Sequence, residues 1–260
     1  MDLELRGQSV LITGASRGIG RAIAETMAAE GCDLHLAARD GELLRKVCKE
    51  LAAKYNVKAA PHVHDLSKTS EIEKLGAACG EVDILVNNAG AIPRGPLAEI
   101  DSATWRAAWD LKVFGFIDLT RIIFQRMSDR GRGNIVNVIG MAGERPDWKY
   151  IAGCTGNAAL NSFTLALGGE SVRYGVRVNC VNPGPIMSDR FKEGILRRAR
   201  QTFNDEARWP ELLQDLPIKR AGTPQEVADA VAFLASARAT YISGAALRID
   251  AGLRHRSQAS

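Results

Sequence analysis

Short apolar runs alternate along the chain with segments in which apolar residues recur every three or four positions. The short runs are typical of strands, and the periodic segments are typical of helices. Seven runs predict strands, at 10–12, 33–38, up to 64, 83–87, 134–138, 176–181 and 246–250. The longest predicted helix extends from about 102 to 127. The chain therefore reads as alternating strands and helices from end to end.

This alternation predicts an α/β fold. The apolar strands lack a period of two, which favours a parallel sheet covered by helices on both faces. Right-handed crossovers then give one doubly wound, Rossmann-type domain over residues 1–260, with a ligand crevice at the carboxyl ends of the strands. Residues 188–217 do not follow the alternation of strands and helices, and they contain no strand pattern. A substrate lid is one interpretation of this excursion, and a packed helical insertion is the other.

A glycine-rich segment at 13–20 follows the first strand and leads into a helix. Glycine permits a tight turn and a close approach of the backbone to a diphosphate, and the helix N-terminus favours the anion. This context indicates a dinucleotide site, with a turn that binds nothing as the alternative. The candidate cofactor-binding residues of this loop are Gly14, Ser16, Arg17, Gly18, Ile19 and Gly20.

Composition and charge narrow the function classes. The chain is 46% hydrophobic and 25% charged, as ordinary globular proteins are. A net charge of +4 without a long basic block gives no reason to expect nucleic acid as a partner. No apolar run approaches a membrane span of roughly 20 residues. Five scattered cysteines without CxxC spacing and four dispersed histidines indicate no metal site and favour a reducing cytoplasm.

The sequence resembles the short-chain dehydrogenase/reductase family in several motifs, which occur in the same order along the chain as in that family. The motifs are Thr13–Gly20, Asp65–Leu66, Asn87–Gly90, Asn182–Ser188, Tyr241–Gly244 and Asp250–Gly252. The resemblance implies a seven-stranded sheet, a bound nicotinamide dinucleotide, a small-molecule carbonyl or alcohol substrate, and a homodimer or homotetramer. It also implies that Asp65 contacts the adenine, that Asn88 and Ala89 line its ribose, and that 183–188 touches the nicotinamide end. Further candidate cofactor-binding residues are Leu66, Gly90, Pro183, Gly184, Ile186 and Ser188.

The end of the second predicted strand bears on the choice between NADP and NAD. NAD-preferring relatives carry an acidic residue there for the ribose 2′-hydroxyl. Here Ala38 is followed by Arg39, and Arg17 lies in the glycine loop. Two guanidinium groups favour a 2′-phosphate, so NADP is predicted over NAD. Asp40 is the opposing feature, because a helix-capping carboxylate there mutes the positive potential.

The resemblance also implies a catalytic serine, tyrosine, lysine and asparagine, and the sequence departs at all four positions. Gly140 stands at the serine position, Gly153 at the tyrosine, Asn157 at the lysine and Lys112 at the asparagine. Glycine has no side chain that donates a proton. The family's standard mechanism is therefore not expected here.

Two features suggest replacements. Lysine and asparagine have exchanged positions, so Lys112 returns an ammonium to the pocket from the opposite wall, unless it extends to solvent. Tyr150 lies three residues before Gly153 and is a candidate to fill the vacated space, unless it only lines the pocket. The catalytic candidates are accordingly Lys112, Tyr150 and Asn157.

Two functions remain open. The first is an NADP-dependent oxidoreductase with a non-standard site, whose pocket is enlarged by two glycines and suits a bulky or anionic substrate. The second is a catalytically degenerate NADP-binding protein, a sensor or an assembly partner. The two differ in whether bound NADPH is oxidised by any carbonyl compound.

Overall fold

A seven-stranded parallel sheet forms the centre of the molecule. The computed structural model describes residues 1–256. The strand order is β3-β2-β1-β4-β5-β6-β7, and every neighbouring pair is parallel. The strands are β1 (Ser9–Thr13), β2 (Asp33–Ala38), β3 (Ala59–Val63), β4 (Ile84–Asn87), β5 (Gly133–Val138), β6 (Val176–Pro183) and β7 (Ala246–Ile249). The predicted α/β class with a parallel sheet is confirmed.

Helices cover both faces of the sheet. They are α1 (Gly18–Ala29), α2 (Gly41–Tyr55), α3 (Thr69–Cys79), α4 (Ser102–Trp109), α5 (Gly115–Arg130), α6 (Ile151–Ser171), α7 (Asp189–Phe203) and α8 (Pro224–Ala235). Alternate residues of β1 explain the two layers, since Val10 and Ile12 pack towards α1 and α8 while Leu11 packs towards α3 and α5. All four residues of β4 are buried, which is why its sequence shows no polar alternation.

One helix differs from the sequence prediction. The long helix expected from 102 to 127 is divided by a π-helical turn at Asp110–Phe114. A π turn inserts an extra residue per turn and often lies at a functional site; here it carries Lys112. Helix α6 begins at Ile151, directly after Tyr150. Lys112 thus lies at a break in regular structure that apolar periodicity does not detect, and Tyr150 precedes its helix as expected.

The order of the strands places a crevice beside β1. The chain leaves β1 towards β2 on one side and later returns to pair β4 on the other, so the carboxyl ends of β1 and β4 border the topological switch point. The glycine loop and Asn88 follow these two strand ends. Over residues 188–217 the chain forms α7 and a 3₁₀ segment at Glu206–Leu213. In the described part of the chain, no helix is long and apolar enough to cross a membrane.

Candidate cofactor and substrate site

The glycine loop forms a cradle that larger residues would block. Gly14 and Gly18 have φ angles of +66° and +54°, which favour glycine. A Cβ on Gly14 would lie 3.0 Å from the Cα of Ala89, and a Cβ on Gly20 would lie 2.5 Å from Asn88 Nδ2. Helix α1 begins without a side-chain cap, so its first N–H groups remain available to an anion. The loop therefore has the backbone geometry of a diphosphate site.

Asn88 joins the ends of β1 and β4. Its Nδ2 donates to the carbonyl of Thr13 at 3.0 Å, and the Thr13 hydroxyl accepts from the backbone N–H groups of Asn88 (2.9 Å) and Ala89 (3.0 Å). Thr13 is 1% exposed, so its hydroxyl serves these contacts between β1 and the segment after β4. Asn88 thus fixes the width of the crevice.

Three charged residues form the corner at the end of β2. Arg17 and Asp40 make an ion pair at 2.9 Å, and Arg39 is exposed beside them. Asp40 also caps α2 by accepting from the Leu43 N–H, and this bond, followed by the Arg17 bond, lowers the pKa of the carboxyl group. The Arg17 side chain is still 67% exposed. The guanidinium groups are therefore accessible, and Asp40 offsets part of their charge.

Two other predicted cofactor residues, Asp65 and Ser188, make local hydrogen bonds. Asp65 Oδ1 accepts from the backbone N–H and the hydroxyl of Ser67, so that carboxylate oxygen already has two partners. Ser188 caps α7 by accepting from the Phe191 N–H, and its Cβ lies 3.5 Å from the position of a Cβ on Gly18. The loop after β6 thus faces the glycine cradle across the crevice.

Lys112 points into the protein. Its Nζ donates to the carbonyl of Ile139 at 2.7 Å, and its Cδ lies 2.7 Å from the position of a Cβ on Gly90. Burial lowers the pKa of Lys112 to about 8, and the positive charge of Arg190 adds to the shift. Lys112 therefore contacts the segments that follow β4 and β5, and its side chain does not extend to solvent.

The ring of Tyr150 occupies the space beside Gly153. A Cβ on Gly153 would lie 2.5 Å from Tyr150 Cε2 and closer still to Cζ and Cε1, so the residue at 153 must be glycine for the ring to stay there. The guanidinium of Arg94 lies 5.2 Å from the ring centre. Burial raises the pKa of the Tyr150 hydroxyl, which Arg190 and then Arg94 partly counteract. The phenol is thus partly buried at the first turn of α6.

Asn157 lies beneath Gly140. It is 3% exposed, and its Nδ2 makes one long bond of 3.4 Å to the Gly140 carbonyl. Its Oδ1 is buried without a hydrogen-bond partner among the described residues. Gly140 has a φ of +134°, and its N–H donates to Asn182 Oδ1 at 3.3 Å. An unpaired buried acceptor is costly, so Asn157 has a free position for a donor.

Sequence reasoning missed Arg94 and Arg190. Arg190 donates to the carbonyl of Ile92 at 2.7 Å and more weakly to that of Gly90 at 3.5 Å. Arg94 pairs with Asp147 at 2.5 Å. Both arginines come from irregular segments or helix ends that long-range contacts bring to Tyr150. No local pattern in the sequence indicates this convergence.

Metal and thiol chemistry find no further support in the structure. Among residues 1–256, no three His, Cys, Asp or Glu side chains are grouped as metal ligands. All five cysteines are buried free thiols. Burial raises the pKa of Cys32 and Cys180 to about 12, which leaves both as thiols.

Comparisons with known proteins agree with this geometry. The family model described as Enoyl-(Acyl carrier protein) reductase matches residues 14–254. The chain is 32% identical over 260 residues to the 3-oxoacyl-[acyl-carrier-protein] reductase of Aquifex aeolicus, covering 97% of this chain and 100% of that protein. It is 30% identical over 255 residues to the 7alpha-hydroxysteroid dehydrogenase of Escherichia coli, covering 96% of each. Among solved structures, L-sorbose reductase of Gluconobacter frateurii with NADPH and L-sorbose has a TM-score of 0.92 at 32% identity, covering 99% of this chain and 100% of that one.

Proposed function

The chain belongs to the short-chain dehydrogenase/reductase family, whose members are oxidoreductases, and we propose that it is an NADP-dependent enzyme acting on a carbonyl or alcohol substrate through a non-standard active site. Tyr150 donates the proton, and Lys112 stabilises the negative charge on the substrate oxygen. Gly140 and Gly153 occupy the serine and tyrosine positions of the family. The observation that carries this proposal is the Tyr150 ring seated over Gly153.

The residues at the crevice fit a nicotinamide dinucleotide phosphate. The uncapped first turn of α1 and the cradle of Gly14, Gly18 and Gly20 suit the diphosphate. Arg17 and Arg39 suit the 2′-phosphate, in place of the carboxylate that would repel it. The similar sorbose reductase structure contains NADPH. Asn157, at the position of the family's lysine, is the candidate partner for a sugar hydroxyl; its unpaired Oδ1 is buried, so this contact requires a local movement that exposes it.

The remaining candidates at the crevice extend this assignment. Ser16 and Ile19 belong to the diphosphate loop, and Asp65, Leu66 and Ala89 line the adenosine side of the proposed site. Gly90 lies further along the crevice, against Lys112. Pro183, Gly184, Ile186 and Ser188 line its nicotinamide side. The loop after β6 faces the cradle at Gly18, which supports a cofactor held between the two.

Proton transfer is the task of the chain's own side chains. A nicotinamide held between the glycine cradle and the loop after β6 would supply the hydride for the substrate carbon, or would accept one from it. Because burial raises its pKa, the Tyr150 hydroxyl stays protonated at neutral pH and donates to the substrate oxygen during reduction. Lys112, with a pKa of about 8, is mostly protonated at pH 7, and its charge stabilises the negative charge that develops on that oxygen.

A lid and an assembly complete the proposal. Helix α7 and the 3₁₀ segment after it cover the open end of the sheet as a substrate lid in the single domain of residues 1–260. An exposed apolar groove of about 540 Å³, lined by Leu97, Trp105 and Phe114 among others, supports a homodimer or homotetramer. The buried free thiols support a reducing, cytoplasmic location.

The second candidate is a catalytically degenerate NADP-binding protein. It is favoured by Gly140 and Gly153, which remove two side chains that the family uses. Fluorescence titration with NADPH and NADH, followed by NADPH oxidation with a panel of aldehydes, ketones and oxo acids, separates the two. The enzyme proposal predicts tighter binding of NADPH and turnover of at least one compound. Binding with a silent panel supports the degenerate protein, and no affinity for either dinucleotide contradicts both.

A further inference from the structure

Two arginines lie near Tyr150, and one of them, Arg190, shares the segment after β4 with Lys112. Lys112 packs against Gly90, and Arg190 bonds to the carbonyls of Gly90 and Ile92, so the two cations flank the same short segment after β4. Arg94 lies over the Tyr150 ring. The Lys112 ammonium loses hydration, and the exposed guanidinium of Arg190 adds a like charge close to it. Negative charge is therefore favoured beside Lys112 and Arg190.

The protein supplies only part of that charge. Asp147 pairs with Arg94 at 2.5 Å. In the part of the chain that the structure describes, neither Lys112 nor Arg190 has a carboxylate within 4.0 Å, and the contacts of both groups are backbone carbonyls. A carbonyl dipole satisfies a donor without neutralising its charge. Two positive charges at the pocket are thus left for an anionic ligand.

We propose that Arg190 binds an anionic group of the substrate, so that this enzyme acts on carbonyl compounds that carry a carboxylate or a similar anion. This inference rests on the proposed function and assigns the substrate class of the same site. Arg190 is the side chain best suited to the role, since guanidinium binds carboxylate in a bidentate geometry. Its position on the first turn of α7 also makes the lid part of substrate recognition.

The cofactor's phosphates are the competing source of negative charge. The bonds of Arg190 to Gly90 and Ile92 favour the substrate, because Ile92 packs in the same apolar cluster as Tyr150. A cofactor role predicts that Arg190→Met weakens NADPH binding and leaves discrimination among substrates unchanged. A substrate role predicts the reverse.

Binding to the NADP⁺ complex tests the inference without turnover. The probes are 4-oxo carboxylic acids of five to ten carbons, each compared with its methyl ester by calorimetry. We expect at least one acid to bind about 10- to 100-fold more tightly than its ester, as a charge-assisted pair provides. Arg190→Met abolishes that preference, Arg190→Lys restores part of it, and the affinity for NADPH stays within about twofold of wild type.

Arg198→Met is the matched control, because it removes one exposed positive charge from the same helix. It is expected to keep the acid preference of the wild type. The inference is overturned if acid and ester bind equally at every chain length, if neither binds, or if Arg198→Met loses the preference as fully as Arg190→Met. Preferential binding of an acid that NADPH never reduces would instead support the anion site and contradict the proposed oxidoreductase reaction.

Discussion

Adding a single methyl group at position 153 is expected to dislodge the proposed proton donor. A Cβ there overlaps three atoms of the Tyr150 ring, the farthest of them only 2.5 Å away. Overpacking of this kind costs about 1–3 kcal/mol, while alanine in place of a helical glycine returns about 0.5–1 kcal/mol. The net effect of Gly153→Ala is a destabilisation of up to about 2.5 kcal/mol, or at most roughly 10 °C in Tm.

The activity of Gly153→Ala should fall much further than its stability. If the ring moves to relieve the overlap, its hydroxyl leaves the pocket, and general acid catalysis of about 10²–10⁴-fold is lost. Thermal unfolding and NADPH oxidation at 340 nm, with the best carbonyl substrate of the wild type, measure the two effects separately. NADPH affinity should be unchanged, since the overlap lies away from the glycine cradle.

Gly169 on the same helix provides the control. A Cβ at Gly169 meets no atom within 4 Å. Gly169→Ala should therefore be about 0.5–1 kcal/mol more stable than the wild type, because alanine favours a helix over glycine, and should keep wild-type turnover. The reasoning is refuted if Gly153→Ala turns over substrate as the wild type does. It is equally refuted if both alanine variants lose activity to the same degree.

Three further perturbations test other parts of the account. Arg39→Asp should weaken NADPH binding by about 10-fold or more and reduce the preference for NADPH over NADH, both measured by fluorescence titration. An NADPH affinity equal to that of the wild type would show that Arg39 does not contact the 2′-phosphate. In the wild type, kcat/KM for reduction should fall above pH 8 because Lys112 loses its proton. The Lys112→Met variant should show no such fall, and a pH profile identical to that of the wild type would contradict the role of Lys112. Burial lowers the pKa of His62 to about 4, with His35 beside it at 3.0 Å. The unfolded chain therefore binds more protons between pH 6.5 and 4, so the free energy of unfolding should fall by roughly 1–3 kcal/mol across that window, and less in His62→Gln; an equal fall in the variant would locate the effect elsewhere.

The fold was predictable because its causes are local. The strands lack polar alternation since both faces are covered, and β4 is buried throughout. The glycine loop could be predicted from the sequence for a similar reason, because Gly14 and Gly18 adopt positive φ angles within one short turn. Periodicity did not detect the π turn at Asp110–Phe114, since one extra residue hardly alters the apolar pattern of a helix.

The candidate catalytic region was less accessible to sequence reasoning. The register of α6 placed Gly153 at a vacated position, but the direction of the Tyr150 ring depends on packing against Ile92 and Ala152. Arg94 and Arg190 come from distant parts of the chain, and neither lies in a motif of its own. Their convergence near Tyr150 is a property of tertiary structure, because it depends on where β4 ends and where α6 and α7 begin.

The most direct test of the central claim is the single-turnover rate of NADPH oxidation by Tyr150→Phe. The variant keeps the ring over Gly153 and removes only the hydroxyl, so stability and NADPH affinity should match the wild type. The account predicts a chemical step about 10²–10⁴-fold slower. An undiminished single-turnover rate would contradict it, because the proton would then come from another group.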